Sequence, residues 1–249
     1  MRLAYVTAHY PPDFTSGATL QVERLARRAV ELGHDVEVFS GAIAMGLADG
    51  ERRTERIDGV TVRWIGTAER IEQGDDGNWD NPPAAAAAAA WLREFRPDVV
   101  HVHTLQTLGV GVLEAAADAG RVVVTMHDLW WWCSRLFLVD TELRPCPLVT
   151  DVGTCACART ATWRAARADR LGRALDRADR ILTPSAALRD VVIANGVDPR
   201  RVGIDENDVT LEIAPHAATR PTTRPLRFLY LGGDSPLKGA DVVRDAARL

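Results

Sequence analysis

Short apolar runs of strand length recur along this chain, and segments with helical spacing fill the gaps between them. That alternation narrows the fold more than any other feature. Strand, helix and strand in succession bring the chain back into one sheet in the same direction. The expected product is an α/β fold, a parallel sheet with helices on both faces. Arg2–Thr7 opens the series as a compact apolar strand of the kind buried on both sides. A helix over Ala18–Leu32 follows, with Val22, Leu25, Ala26, Ala29 and Val30 on one stripe and Gly33 as its stop. Asp35–Ser40, Val60–Ile65, Asp98–Val102, Val122–Met126 and Arg180–Thr183 read as further strands. Helices are expected at Leu105–Ala119, Thr162–Ala178 and Ala186–Asn195.

One segment looks like low complexity and is better read as structure. Thr67–Asn81 is a polar, glycine-rich loop, and Asn81-Pro82-Pro83 then opens an alanine run, Ala84–Ala90. Asn81 suits an N-cap and Pro82 the first helical position. Alanine has the highest helix propensity, and Trp91, Leu92 and Phe95 carry the helix on.

In open parallel sheets ligands bind beyond the carboxyl ends of the strands. That rule gathers the loops at Ala8–Gly17, His103–Gln106 and His127 onward around one crevice. Gly17 stands before a helix N-terminus, where backbone N–H groups and the helix dipole favour anions. His127-Asp128 follows a strand end directly, and His103 ends the strand beside it. His101 alternates within that strand and reads as a core residue.

Residues 215–225 contain three prolines and no periodic apolar pattern, which marks a linker. The first domain is therefore 1–214. A new strand is expected at Leu226–Leu231, then Gly232-Gly233 and a helix from about Lys238. One strand and one helix cannot bury a core, so residues 226–249 are expected to begin a second domain that is truncated here.

Charge and cysteine usage bound the setting. There are 30 basic and 34 acidic side chains, for a formal net charge of −4, which argues against nucleic acid as a partner. The first residues lack a secretory signal, and no apolar run reaches the roughly 20 residues of a membrane span. A cytoplasmic protein is expected, with room for peripheral membrane contact through an amphipathic face. Cys133, Cys146, Cys155 and Cys157 crowd one insertion, about 128–160, beside the run Trp130-Trp131-Trp132. Four thiolates could complete a structural zinc site; reduced buried thiols and a loop disulfide are the alternatives. At least two of the tryptophans are expected to be buried, the third being free to stack on a sugar ring.

Four segments, in order, resemble the family 4 glycosyltransferases. They are His9-Tyr10-Pro11-Pro12 through Ser16-Gly17 with the following Gly33-His34-Asp35-Val36; Arg96-Pro97-Asp98-Val99-Val100-His101-Val102-His103; Ala178-Asp179-Arg180-Ile181-Leu182-Thr183-Pro184-Ser185; and Gly232–Gly239 with Lys238. The resemblance implies a GT-B fold of two facing Rossmann-like domains, of which this would be the acceptor-side domain and the start of the nucleotide-sugar domain. It implies transfer of a sugar, of hexosyltransferase type and with retention, from a nucleotide-sugar donor to a glycan, lipid or small-molecule acceptor. The resemblance also implies that catalysis needs no metal. By the same resemblance His127 lines the donor sugar pocket as the catalytic candidate. Tyr10, Ser16, Gly17, His103 and Asp128 would border substrate, and Lys238 would neutralise the leaving diphosphate. Three departures stand out: Ser16 replaces the first of two adjacent glycines, Gly233 replaces an arginine that partners the lysine, and Ala214-Pro215-His216 stands where relatives have an asparagine-glycine turn. With most of the nucleotide-sugar domain outside it, the chain alone is expected to be inactive. A non-catalytic binding fragment and a nucleotide-sugar epimerase of the same fold are the alternative readings.

Overall fold

The computed structural model describes residues 1–72, 79–151, 153–155, 160–207, 228–234 and 236–248. The chain divides into two compact units, Met1–Asp208 and Val209–Leu249. The expected linker at 215–225 lies outside the described residues.

The first unit is built on an eight-stranded sheet of β1 (Arg2–Thr7), β2 (Asp35–Ala42), β3 (Arg52–Ile57), β4 (Val60–Gly66), β5 (Val99–Val102), β6 (Arg121–Thr125), β7 (Arg180–Thr183) and β8 (Val202–Ile204). Their spatial order is β3-β4-β2-β1-β5-β6-β7-β8. Every pairing is parallel except β3 with β4. The parallel sheet is therefore as expected, but it carries an antiparallel edge strand that the pattern did not announce. Arg-Arg-Thr-Glu-Arg-Ile holds a single apolar residue, because an edge strand facing water has no need of more. The three-residue β8 was likewise not foreseen.

Alternation along the central strands divides two cores. Ala4, Val6, Phe39, Ile65, Val100, Val102, Val122 and Val124 pack under helices on one face. Those helices are Pro82–Phe95 (α3), Gly111–Ala119 (α4), Ala161–Asp176 (α5) and Ala186–Ala194 (α6). On the opposite face Tyr5, Val38, Val62 and Trp64 pack with Val22, Ala26 and Ala29 of α1 (Gly17–Glu31). A short helix α2 (Ala68–Glu72) occupies part of the expected polar loop.

Helix ends follow the residue chemistry. Ser16 caps α1 through a reciprocal pair with Thr19, and Gly33 beyond its end takes the left-handed φ of 82°. Asn81 caps α3 with Oδ1 accepting from Ala84 N at 3.0 Å, and Pro82 is the first helical residue. The helix expected from Leu105 starts only at Gly111. The intervening residues turn instead, and the Thr107 carbonyl accepts from the Asn81 amide at 2.6 Å.

Two aspartates explain the two strand-opening segments singled out above. Asp98, just before β5, accepts from Arg2 N at 2.7 Å. Asp179, just before β7, accepts from Val122 N at 2.7 Å. Each carboxylate satisfies the N–H of a neighbouring parallel strand at its start, where no ladder partner precedes it.

In the second unit, a 3-10 turn at Pro236–Lys238 leads into α7 (Ala240–Ala246). Phe228–Leu231, expected as a strand, has no regular structure. Among the described residues this unit offers no second strand with which it could pair, and a lone strand has no ladder.

Candidate functional site

The strand order turns at β1. It lies between β2 and β5, so the connections leaving β1 and β5 diverge and open a crevice at their carboxyl ends. Hydrogen bonds hold the two lips together. His103 N donates to the Val6 carbonyl at 2.9 Å, and Ala8 N donates to Thr104 Oγ1 at 2.9 Å. Thr104 Oγ1 also meets Thr7 Oγ1 at 3.1 Å.

The first lip is the loop after β1. Tyr10, expected at the substrate, is instead buried at 1% exposure and meets Trp64 edge-on with ring centroids 6.3 Å apart. Burial and nearby Glu23 and Asp58 push its phenol far above the ordinary value. It anchors the loop and does not border the crevice. Asp13 ties the loop to the end of β2, accepting from Ile43 N at 2.9 Å and Ala44 N at 2.8 Å. Ser16 spends its hydroxyl on the cap of α1. Gly17 is exposed, and a Cβ there would meet nothing within 4 Å, so the helix N-terminus faces open space. Phe14 is exposed and edge-on to His9 with ring centroids 5.2 Å apart.

Three imidazoles form the floor. His103 was read as facing the crevice and His101 as core. The structure reverses the emphasis: His103 is only 3% exposed, while His101 is half-buried. Their rings lie 4.2 Å apart, and His101 Nε2 is 2.8 Å from Thr125 Oγ1. His103 Nδ1 lies 2.9 Å from Nε2 of His127. His103 thus reaches the crevice through His127, which is half-buried. Desolvation lowers the pKa of His127 to about 4. Desolvation first, and His127 second, lower that of His101 to about 4. Full burial moves His103 the same way. All three are neutral at pH 7.

Asp128 organises the far lip. Its Oδ1 accepts from Trp130 N at 2.8 Å and its Oδ2 from Gln106 Nε2 at 2.9 Å. Burial raises its pKa, and those two bonds oppose the rise. Gln106 was not singled out from sequence. Its one signal was its place just beyond a strand end. Arg167 was also missed. It lies over the Trp130 ring, 5.2 Å from the centroid, and its guanidinium donates to the Trp130 carbonyl. Nothing in a helical stretch of arginines and alanines distinguishes it. Trp130 and Trp131 are buried and Trp132 is half-buried, as expected.

The insertion and α5 border an open pocket of about 310 Å³ lined in part by Cys133, Cys146, Cys155, Trp163 and Arg167. These three cysteines are unpaired. Among the described residues no three His, Cys, Asp or Glu side chains gather closely enough to hold a metal ion. Cys157 lies outside the described residues. Lys238 belongs to the second unit, at the end of its 3-10 turn, where its carbonyl accepts from Tyr230 Oη at 3.1 Å. No described helix is long and apolar enough to cross a membrane.

Comparison with known proteins matches the model for Glycosyltransferase Family 4 to residues 15–207. A glycogen synthase of Mycobacterium tuberculosis (strain ATCC 25618 / H37Rv) is 23% identical over 251 residues, covering 93% of this chain and 54% of that protein. A D-inositol 3-phosphate glycosyltransferase of Thermobispora bispora is 26% identical over 274 residues, covering 100% of this chain and 57% of that protein. The chain thus spans about half the length of the curated relatives it matches. Among solved structures, sucrose-phosphate synthase from Thermosynechococcus elongatus superposes with a TM-score of 0.50 at 12% identity, covering 82% of this chain and 47% of that one. At that identity the likeness speaks for the fold alone.

Proposed function

This chain belongs to Glycosyltransferase Family 4, and from that premise we propose that the whole protein moves a sugar from a nucleotide-sugar donor to an acceptor hydroxyl with retention. The observation that carries the reading is His127, a neutral, desolvated imidazole beyond the carboxyl end of β6, joined to His103 at the end of β5. A neutral ring there hydrogen-bonds a sugar oxygen without bringing a charge that the reaction would have to neutralise. In the reaction the bond from the anomeric carbon to the diphosphate breaks, and a bond to the acceptor oxygen replaces it. The electron pair of the broken bond leaves with the diphosphate, whose negative charge grows as the bond breaks, and the proton of the acceptor hydroxyl passes to that departing oxygen. Backbone N–H groups at Gly17, at the N-terminus of α1, suit that charge. No metal is required in this scheme.

The test is turnover of a panel of nucleotide sugars by the whole protein and by its His127→Ala variant. Loss of about 10² to 10³ in kcat is expected for a removed transition-state hydrogen bond. Unchanged turnover in the variant would exclude His127 as a contact. The 249-residue chain alone is expected to be inactive, and clear turnover would overturn that. Gly233 in place of a cation beside Lys238 favours a second reading, a module that binds nucleotide sugar without turning it over. Donor binding with no consumption by the whole protein would decide for it. The acceptor class is a glycan, a lipid or a small molecule, and a cytoplasmic location is proposed, which cell fractionation checks.

We also propose that the cysteine-lined insertion takes up a structural zinc ion, since thiolates are its preferred ligands. Elemental analysis of purified protein should find one equivalent. Absence of stoichiometric metal would remove the idea.

A further inference from the structure

We infer that His103 is a positioning residue that fixes His127 as the tautomer turning an N–H, rather than a bare lone pair, toward the crevice. The inference rests on the reading of His127 as the sugar contact. His103 Nδ1 and His127 Nε2 are 2.9 Å apart, so one of these two nitrogens carries the shared hydrogen. The other nitrogen of His103, Nε2, is buried with no partner. A hydrogen there would leave a buried donor unpaired, which folded proteins avoid more strictly than an unpaired acceptor. The hydrogen of His103 therefore sits on Nδ1 and is donated to His127 Nε2.

A neutral imidazole carries a single N–H. With its Nε2 accepting, His127 must carry its own hydrogen on Nδ1. That atom is not among the buried polar atoms without partners, and His127 as a residue is half-buried. It is the nitrogen left open to a ligand. The arrangement is held from below. His101 lies against His103 at 4.2 Å and is itself held to Thr125 Oγ1, and Tyr5 flanks both rings at 5.6 and 6.1 Å. A flip that traded the two nitrogens of His103 would break its bond to His127. The consequence for recognition is directional. The crevice offers a donor at His127 and selects a sugar oxygen that accepts.

Nitrogen-15 spectra of the histidine side chains in the 249-residue protein at pH 7 read the tautomer directly. We expect His127 in one form, with Nδ1 protonated and Nε2 not. His103→Phe keeps the ring stack and removes the donor, and Nδ1 of His127 should then shift toward the unprotonated position. His103→Gln restores an N–H and should return it. A wild-type His127 protonated on Nε2 would overturn the inference, as would a spectrum unmoved in folded His103→Phe. Should that variant not fold, the wild-type spectrum decides alone. No sugar is present in these measurements. A tautomer as expected in a protein that transfers nothing would therefore sink the functional reading and leave the geometry standing.

Discussion

At the residue scale, the stacked imidazoles set a cost in acid. The unfolded chain takes up protons on histidine near pH 6.5, whereas folded His101 and His127 resist until about 4. The unfolded state therefore binds more protons between those values, and stability falls as pH drops from about 6.5 toward 4. His103 adds in the same direction. Asp128, with its raised pKa, works the other way, favouring the fold in acid. Three groups outweigh one, so Tm should fall by several degrees between pH 7 and pH 5, and thermal melts across that range check it. A flat profile would mean that the rings are hydrated. Position beyond a strand end made His127 and Asp128 legible in the sequence. The partnership of His103 with His127 was not legible, because it depends on the β5–β6 register, in which Val102 stands beside Val124. Tyr10 misled for a simpler reason. It sits in a loop that borders the crevice, yet its ring is large enough to reach the core beside Trp64.

At the element scale, the alanine run proves to be a packing surface. Ala84, Ala87 and Ala88 of α3 are buried, and a Cβ placed on Gly111 of α4 would lie 2.8 Å from Ala85 Cβ. Small residues on both helices let them approach this closely. Gly111→Ala should therefore destabilise by about 1–3 kcal/mol through overpacking, despite the better helix propensity of alanine. Asn81→Ala should cost about 1 kcal/mol for the lost cap, and it also leaves the Thr107 carbonyl without its amide. Denaturant midpoints of the two variants measure both. The parallel strands could be read from sequence because burial on two faces demands apolar runs. Strand β3 and the late start of α4 could not. The first needs no apolar face, and the second is set by a turn whose bonds come from Asn81 and Trp79, distant in sequence.

At the scale of the whole molecule, nearly all of the buried apolar residues belong to Met1–Asp208, with Ala240 the exception among the described residues. A polypeptide of residues 1–208 should therefore fold alone, with a Tm within a few degrees of the 249-residue chain. Thermal melts of both compare them, and a large loss would show that the second unit contributes to the first unit's stability. Any sheet of this size must also end somewhere, and each unpaired edge is a template on which another copy could polymerise. On one side, among the described residues, the sheet stops at three-residue β8, too short to seed a partner. On the other it stops at β3, where Arg52, Arg53 and Arg56 are exposed along a strand with one apolar side chain. Charged side chains along an edge, with few apolar ones beside them, disfavour pairing with another strand. A strand with so little apolar pattern that the sequence hardly announces it is, for the same reason, a poor template for edge-to-edge assembly.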